Sequence, residues 1–295
     1  MRTEIEEAVR LLQRGDEKSL EQALSLLQNT VFSFSMRVCG QREDAEDTMQ
    51  EVLLKAVPHL PKFDNAKALL VWMYKVAKNR CLMSRRRSTF APAQELSLDE
   101  LIPDRKELEL LRAGSAIDPE LLAIRGEQAE RLREAIQKLP PQYRVVLVLR
   151  DMEGLSDDEV AEITGLRSGT VRVRLHRARL FVRKELMKMI GLLHPGTALP
   201  KANAPSSASS RSESCRVLFA ELSNYLDDKL DDSLCSQLEK HLADCAPCET
   251  FLKTLETTIA ACREMPEQRP DPRKVARFRD EIKAQYKNLK AAIAP

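Results

Sequence analysis

Leu155-Ser156-Asp157-Asp158-Glu159-Val160-Ala161-Glu162-Ile163-Thr164-Gly165-Leu166-Arg167-Ser168-Gly169-Thr170-Val171-Arg172-Val173-Arg174-Leu175-His176-Arg177-Ala178-Arg179 decides how the rest of the chain is read. Ser156 followed three residues later by Glu159 is a capping-box pattern, in which hydroxyl and carboxylate each satisfy an orphan amide; it opens a helix to about Thr164. Gly165 then makes the turn. A longer helix follows Arg167, capped by Ser168 or Thr170, in which Arg172, Arg174, Arg177 and Arg179 share the surface with an apolar stripe. A basic helix with one apolar face docks on a domain by that face and offers the other to phosphates and base edges. Short helix, glycine turn and basic helix is the helix-turn-helix pattern, whose second helix enters the major groove.

With 295 residues and 43% apolar content, the chain has enough material for about two ordinary domains or three small ones. Its net charge of +2 hides segregation. Lys62, Lys67, Lys75, Lys78, Arg80, Arg85, Arg86 and Arg87 face only Asp64 in their stretch, whereas acids outnumber bases over 213–264. Such asymmetry fits a nucleic-acid-binding front and an acidic rear able to imitate or mask it. No apolar run approaches the roughly 18 residues of a membrane span, and Met1-Arg2-Thr3-Glu4-Ile5-Glu6-Glu7 is no signal peptide. A cytoplasmic protein is expected, its seven cysteines serving as reduced thiols, metal ligands or redox sensors rather than structural disulfides.

Apolar residues recur at three-and-four spacing, alternating strands are absent, and the expected fold is all-α. Residues 1–90 read as one helical block. Residues 91–124 lose periodicity, gain Pro92, Pro103, Gly114 and Pro119, and collect Glu95, Asp99, Glu100, Asp104, Glu107 and Glu109 as an acidic linker. A second block covers 125–193, with Pro141 at a first-turn position where its missing N–H costs nothing. Residues 194–212, rich in Pro, Ala and Ser, form a flexible tether. A small acidic module covers 213–265, and 266–295 is a tail in which Val275 to Ala291 suits an amphipathic helix.

Within the first block, Glu43-Asp44-Ala45-Glu46-Asp47-Thr48-Met49-Gln50-Glu51-Val52-Leu53-Leu54-Lys55-Ala56 is acidic at its start, where the helix dipole favours it. Further on, aromatics interleave with bases from Leu69 to Arg87, a mixture suited to melted DNA, since bases stack on rings while cations follow the backbone. Trp72 and Tyr74 fit that role or a core role; for Trp72 the core reading is favoured. These residues resemble the extracytoplasmic-function sigma factors of bacterial RNA polymerase. Asp44 to Glu51 looks like the polymerase-clamp helix of region two, and Trp72 to Arg80 like the helix that melts and reads the -10 element. Leu139-Pro140-Pro141-Gln142-Tyr143-Arg144 and the helix-turn-helix resemble region four, which reads the -35 element. Ser168 stands where the family often has proline.

The resemblance, covering about Phe32 to Leu186, implies a positional mechanism rather than a catalytic residue or an enzyme. Asp44, Glu46, Asp47, Gln50 and Glu51 would dock on core polymerase. Lys75, Lys78, Asn79, Arg80, Arg85 and Arg86 would contact the -10 region of promoter DNA. Arg167, Ser168, Thr170, Arg172, Arg174 and Arg177 would contact the -35 element, arginine to guanine edges giving roughly 1–3 kcal/mol of discrimination and the remainder anchoring phosphates. His176 is assigned to phosphate or to no role. An ordinary helix-turn-helix regulator without sigma activity is the alternative; it leaves Trp72 to Arg87 and the acidic helix unexplained.

Behind the tether stands His241-Leu242-Ala243-Asp244-Cys245-Ala246-Pro247-Cys248. His241 and Cys245, four apart on a helix, share a face, and Cys248 follows one turn later near the helix end. Cys215 would be the fourth ligand, on a helix whose Leu218, Phe219, Leu222 and Leu226 pack antiparallel to Leu234, Leu238 and Leu242, with Asp227-Asp228-Lys229-Leu230-Asp231 as the turn. Thiolates with one imidazole select Zn²⁺, structural or sensory, in a module small enough that metal supplies much of its folding energy. Otherwise Cys215 is a buried apolar residue and the site has three ligands or none. Cys235 is a competing ligand or a spare thiol, and Cys39, Cys81 and Cys262 read as small hydrophobes. Cys215, His241, Cys245 and Cys248 match the pattern of the zinc-binding anti-sigma family, which implies an intramolecular contact between module and sigma blocks that either inhibits or activates. A disulfide-exchange enzyme built on Cys245 and Cys248 would want strands that the chain does not show.

Overall fold

The computed structural model describes residues 2–14, 16–60, 63, 65–86, 95–103, 107–108, 111, 127–189 and 213–293. Every regular element among the described residues is helical, as the three-and-four spacing requires. The tether 194–212 and most of the acidic linker lie outside the described residues. Two compact units form. One is Met1–Pro92, Leu155–Arg167 and Pro266–Pro295; the other is Ala93–Gly154 and Ser168–Met265.

The first unit contains α1 (Arg2–Arg14), α2 (Glu17–Cys39), α3 (Arg42–Ala56) and α4 (Ala66–Arg86). Asp16 opens α2 by accepting from the Ser19 amide, and Gly40, at φ 80°, closes it in a left-handed conformation. Ile5, Leu24, Leu27, Phe32, Phe34, Met49 and Tyr74 fill the core, with Phe34 and Tyr74 ring centroids 4.6 Å apart. Tyr74 is therefore a core residue; Trp72 is half-buried, edge-on to His59.

Two further helices belong to this unit. In α8 (Asp157–Thr164) the capping box forms as expected: the Ser156 hydroxyl accepts from the Glu159 amide, the Glu159 carboxylate accepts from the Ser156 amide at 2.8 Å, and Gly165 ends the helix at φ 74°. It packs on α4. The tail helix α13 (Pro272–Ile293) lays Val275, Phe278, Ile282 and Tyr286, a stripe at helical spacing, against α2 and α3. Each such buried side chain contributes roughly 1.5–3 kcal/mol before ordering entropy.

One expectation is overturned here. Cys39 and Cys81 are joined in a disulfide between the end of α2 and α4. Both do behave as buried apolar residues, but the α2–α4 packing also brings their Cα atoms to 5.3 Å, inside the range a disulfide spans.

The second unit is built around α9 (Ser168–Met189). Val171, Leu175, Ala178, Val182 and Leu186 form its buried stripe. Ser168 is the first helical residue of α9. Around α9 stand α5 (Leu98–Leu101), α6 (Glu127–Lys138) and α7 (Pro141–Leu147), which runs on as a π turn over Val148–Met152. Pro141 sits at the start of α7 as expected, and the buried Arg144 reaches back to donate to the carbonyls of Ile136 (3.1 Å) and Leu139 (2.8 Å), tying α7 to the end of α6.

The acidic module completes this unit as α10 (Glu213–Leu226), α11 (Asp232–Asp244) and α12 (Ala246–Arg263). Its first two helices form the expected hairpin, with Asp231 capping α11 and Leu218, Phe219, Leu222, Leu238 and Leu242 buried. Leu234, by contrast, is exposed. Phe219 of α10 meets Phe251 of α12 edge-on at 4.9 Å.

Candidate functional site

Along α9 the arginines divide by depth. Arg172 is exposed, and Arg174 and Arg177 are half-exposed, Arg174 lying 6.0 Å from the Tyr143 ring. Arg167 and Thr170 are exposed and Ser168 is half-exposed. Two turns on, Arg179 and Arg183 are each 1% exposed. The Arg179 guanidinium donates to Asp151 of the π turn at 2.6 and 2.8 Å and to Asp227 at the α10 turn at 2.9 and 3.0 Å. Burial disfavours its charge, yet the two carboxylates hold it charged beyond the usual arginine range. Arg183 donates to Glu107 at 2.6 Å and Thr254 at 2.7 Å while its guanidinium carbon lies 3.7 Å from the centre of the Phe251 ring. The acidic module therefore grips the C-terminal half of the basic helix.

His176, one of the residues with an open role, is buried and faces α10. Its Nδ1 lies 2.8 Å from the Ser223 hydroxyl, and Nε2 is buried with no partner among the described residues. Burial first, and then the Arg179 charge, push its pKa down to about 4, so the ring is neutral. It touches the module, not solvent.

In the first unit, Asp44, Gln50 and Glu51 are half-exposed, Asp47 is exposed and Glu46 is buried. A groove of about 470 Å³ is lined by Asp47, Gln50, Glu51, Leu54, Lys55 and Arg80. Lys55 and Arg80 pair with Glu51 at 2.7 and 2.9 Å, and the Lys55 hydrogen bond is the main cause holding that carboxyl below its ordinary range. Arg80, expected on DNA, thus faces the acidic helix.

Glu46 is held by Arg42 at 3.1 Å and by Lys274 of α13 at 2.7 Å. Nearby on the same tail helix, Arg279 and Lys283 reach Glu21 at 3.6 and 3.1 Å. On α4, Lys75 and Asn79 are exposed, but Lys78 is only 9% exposed and donates to the Ile163 carbonyl at the end of α8 at 2.8 Å. Burial, with Lys75 beside it, lowers its pKa. The side chains of Arg85 and Arg86 lie outside the described residues.

The four expected metal ligands converge. Their donor atoms lie within 4.8 Å of one another: Cys215 Sγ to His241 Nε2 3.5 Å, His241 Nε2 to Cys248 Sγ 3.4 Å, Cys245 to Cys248 3.4 Å and Cys248 to Cys215 3.8 Å. A tetrahedral zinc with ordinary bond lengths needs edges of roughly 3.4–3.8 Å, and these four separations meet that requirement. One detail differs from the expected single helix. Cys245 is the non-helical junction between α11 and α12, and Cys248 stands in the first turn of α12 after Pro247. The break turns Cys245 inward from a new direction, letting three ligands close in sequence surround one point. Burial first, then the neighbouring Cys245, drives the Cys248 thiol far above its ordinary range, so a metal taking its thiolate must displace a proton. Cys235 is outside this cluster, its pKa raised by burial and nearby acids.

Sequence reading missed Val173, an exposed (51%) apolar side chain off the buried stripe and beside Arg172. It also missed α13's cations, whose partners are distant in sequence.

The Sigma-70 region 2 family model matches residues 24–90, the Sigma-70, region 4 model residues 129–182 and a putative zinc-finger model residues 215–248. The chain belongs to the extracytoplasmic-function sigma factor family of bacterial RNA polymerase. It is 30% identical to the ECF RNA polymerase sigma-E factor of Escherichia coli K12 over 186 residues, covering 62% of this chain and 94% of that protein. The ECF RNA polymerase sigma factor SigW of Bacillus subtilis is 26% identical over 184 residues, 62% of this chain and 96% of its own. A sigma factor RpoE from Bartonella quintana, solved with the anti-sigma factor NepR, is 22% identical with a TM-score of 0.41, covering 57% of this chain and 97% of that one.

Proposed function

We propose that this chain is a cytoplasmic sigma subunit that directs transcription initiation with core RNA polymerase and carries its own regulator. Asp44, Glu46, Asp47, Gln50 and Glu51 dock on core enzyme. Lys75, Lys78, Asn79, Arg80, Arg85 and Arg86 serve the -10 region of promoter DNA, and Arg167, Ser168, Thr170, Arg172, Arg174 and Arg177 serve the -35 element. The module at 213–265 restrains the sigma blocks in cis and responds to metal or redox state through Zn²⁺ held by Cys215, His241, Cys245 and Cys248. No helix among the described residues is long and apolar enough to cross a membrane.

The observation that carries this reading is the fixing of Arg179 and Arg183, on the helix proposed to read the -35 element, by Asp227, Thr254 and Phe251 of the module. In the first unit the tail helix that follows the module adds Lys274, which neutralises Glu46 of the docking set. The tether raises the module's effective concentration.

Deletion of 213–295 tests the restraint in a reconstituted assay with core enzyme: transcript should rise several-fold. A fall would make the module an activator instead. Elemental analysis should find one zinc per chain, lost in Cys248→Ser; a zinc-free protein with intact ligands would sink the metal half.

A further inference from the structure

Cys39 and Cys81 constitute a thiol site apart from the Cys/His cluster, on the half of the chain that carries the -10 and docking candidates. Cys39 ends α2 and Cys81 lies in α4, both 1% exposed. Thr48 of α3, equally buried, places its hydroxyl 3.9 Å from each sulfur, so three helices meet at this point. Lys78 and Arg80 precede Cys81 on α4, Arg80 pairing with Glu51 of α3. The S–S bond therefore fixes α4 on the frame that also holds the acidic helix.

We propose that this pair is a reversible oxidation site whose oxidant is a hydroperoxide. One sulfur, as thiolate, attacks the peroxide: an S–O bond forms, the O–O bond breaks, and the leaving hydroxide takes a proton to depart as water. The second thiol then attacks the resulting sulfenic sulfur, forming the S–S bond and releasing the second water. Two thiols lose two electrons and one hydrogen peroxide gains them. Thr48 is placed to donate to the thiolate. Burial selects the oxidant: a small neutral peroxide can enter during local opening, whereas a charged disulfide such as oxidised glutathione must bring its own sulfurs into line with a sulfur that is 1% exposed.

The test uses the full-length protein, reduced, desalted and exposed to hydrogen peroxide or to oxidised glutathione at equal concentration. Samples are alkylated in guanidinium and mapped by mass spectrometry. Peptides joined through Cys39 and Cys81 should appear at least ten-fold faster with peroxide, and a small phosphine should separate them again in the folded protein. Oxidation should also raise the melting temperature of the wild type by several degrees, a shift absent from Cys39→Ala/Cys81→Ala. Separate alkylation of Cys39 and Cys81 after peroxide has oxidised the Cys/His cluster overturns the proposal, as do equal rates with glutathione, a bond the phosphine cannot open, or a shift that survives in the double variant.

Discussion

Arg172, Arg174 and Arg177 stand on the same helix as Arg179 and Arg183, yet the first three face solvent wholly or in part and the last two are 1% exposed. One residue type does opposite jobs two turns apart. In the N-terminal half the charge is available to an external anion. In the C-terminal half it is consumed by Asp151, Asp227 and Glu107, and the guanidinium planes act as packing surface. Counting arginines on a basic helix therefore overstates its exposed cationic face: depth, not sequence, separates solvent-facing charges from buried ones.

Removing the buried half should have the largest effect. Arg179→Ala leaves Asp151 and Asp227 facing each other without a counter-charge, and about 3–5 kcal/mol of stability should be lost in urea denaturation. Arg179→Lys should recover little of this, because a point charge cannot serve two carboxylates in the fork geometry. A loss below 1 kcal/mol for Arg179→Ala would break the contrast.

Next in size is a pH effect at His176, which is buried on the same helix. Its folded pKa of about 4 is below the usual 6.5, so the unfolded chain binds the proton more readily. The stability from the buried neutral ring is fully present above pH 6.5 and is lost as pH falls toward 4, a change of roughly 3 kcal/mol. In His176→Asn the stability slope between pH 4.5 and 6.5 should flatten; an unchanged slope would place the titration elsewhere.

The smallest effect on stability belongs to the exposed half. Arg172→Ala should shift unfolding by no more than about 0.5 kcal/mol. Promoter binding by the holoenzyme should nonetheless weaken by about 1–3 kcal/mol if Arg172 reads a base edge, or the salt slope should fall by about one if it holds a phosphate. Anisotropy titrations at several salt concentrations separate these.

Much of this was legible because it is local. Ser156, Glu159, Gly165, Pro141 and the turn at Asp227 are short-range signals, and each formed as read. The Cys/His set was legible for a related reason: three of its ligands lie within eight residues. What could not be read was set by long-range packing. Lys78 looked like any cation of a basic run until Ile163, 85 residues on, took its ammonium group. Cys39 and Cys81, separated by 42 residues, carry no spacing signal that distinguishes a bonded pair from two small core residues. Arg179 likewise owes its burial to Asp227, 48 positions away.

The tail helix is held differently from the basic one. Lys274 and Glu21, at either end of its ion pairs with α3 and α2, are substantially exposed, so water and dissolved ions reach these pairs and salt weakens them. Arg179 and Arg183, sealed from solvent, feel no such screening. Added salt should therefore loosen α13 from α2 and α3 while leaving the grip on α9 intact, giving the chain two restraints of which a change in ionic strength addresses only one.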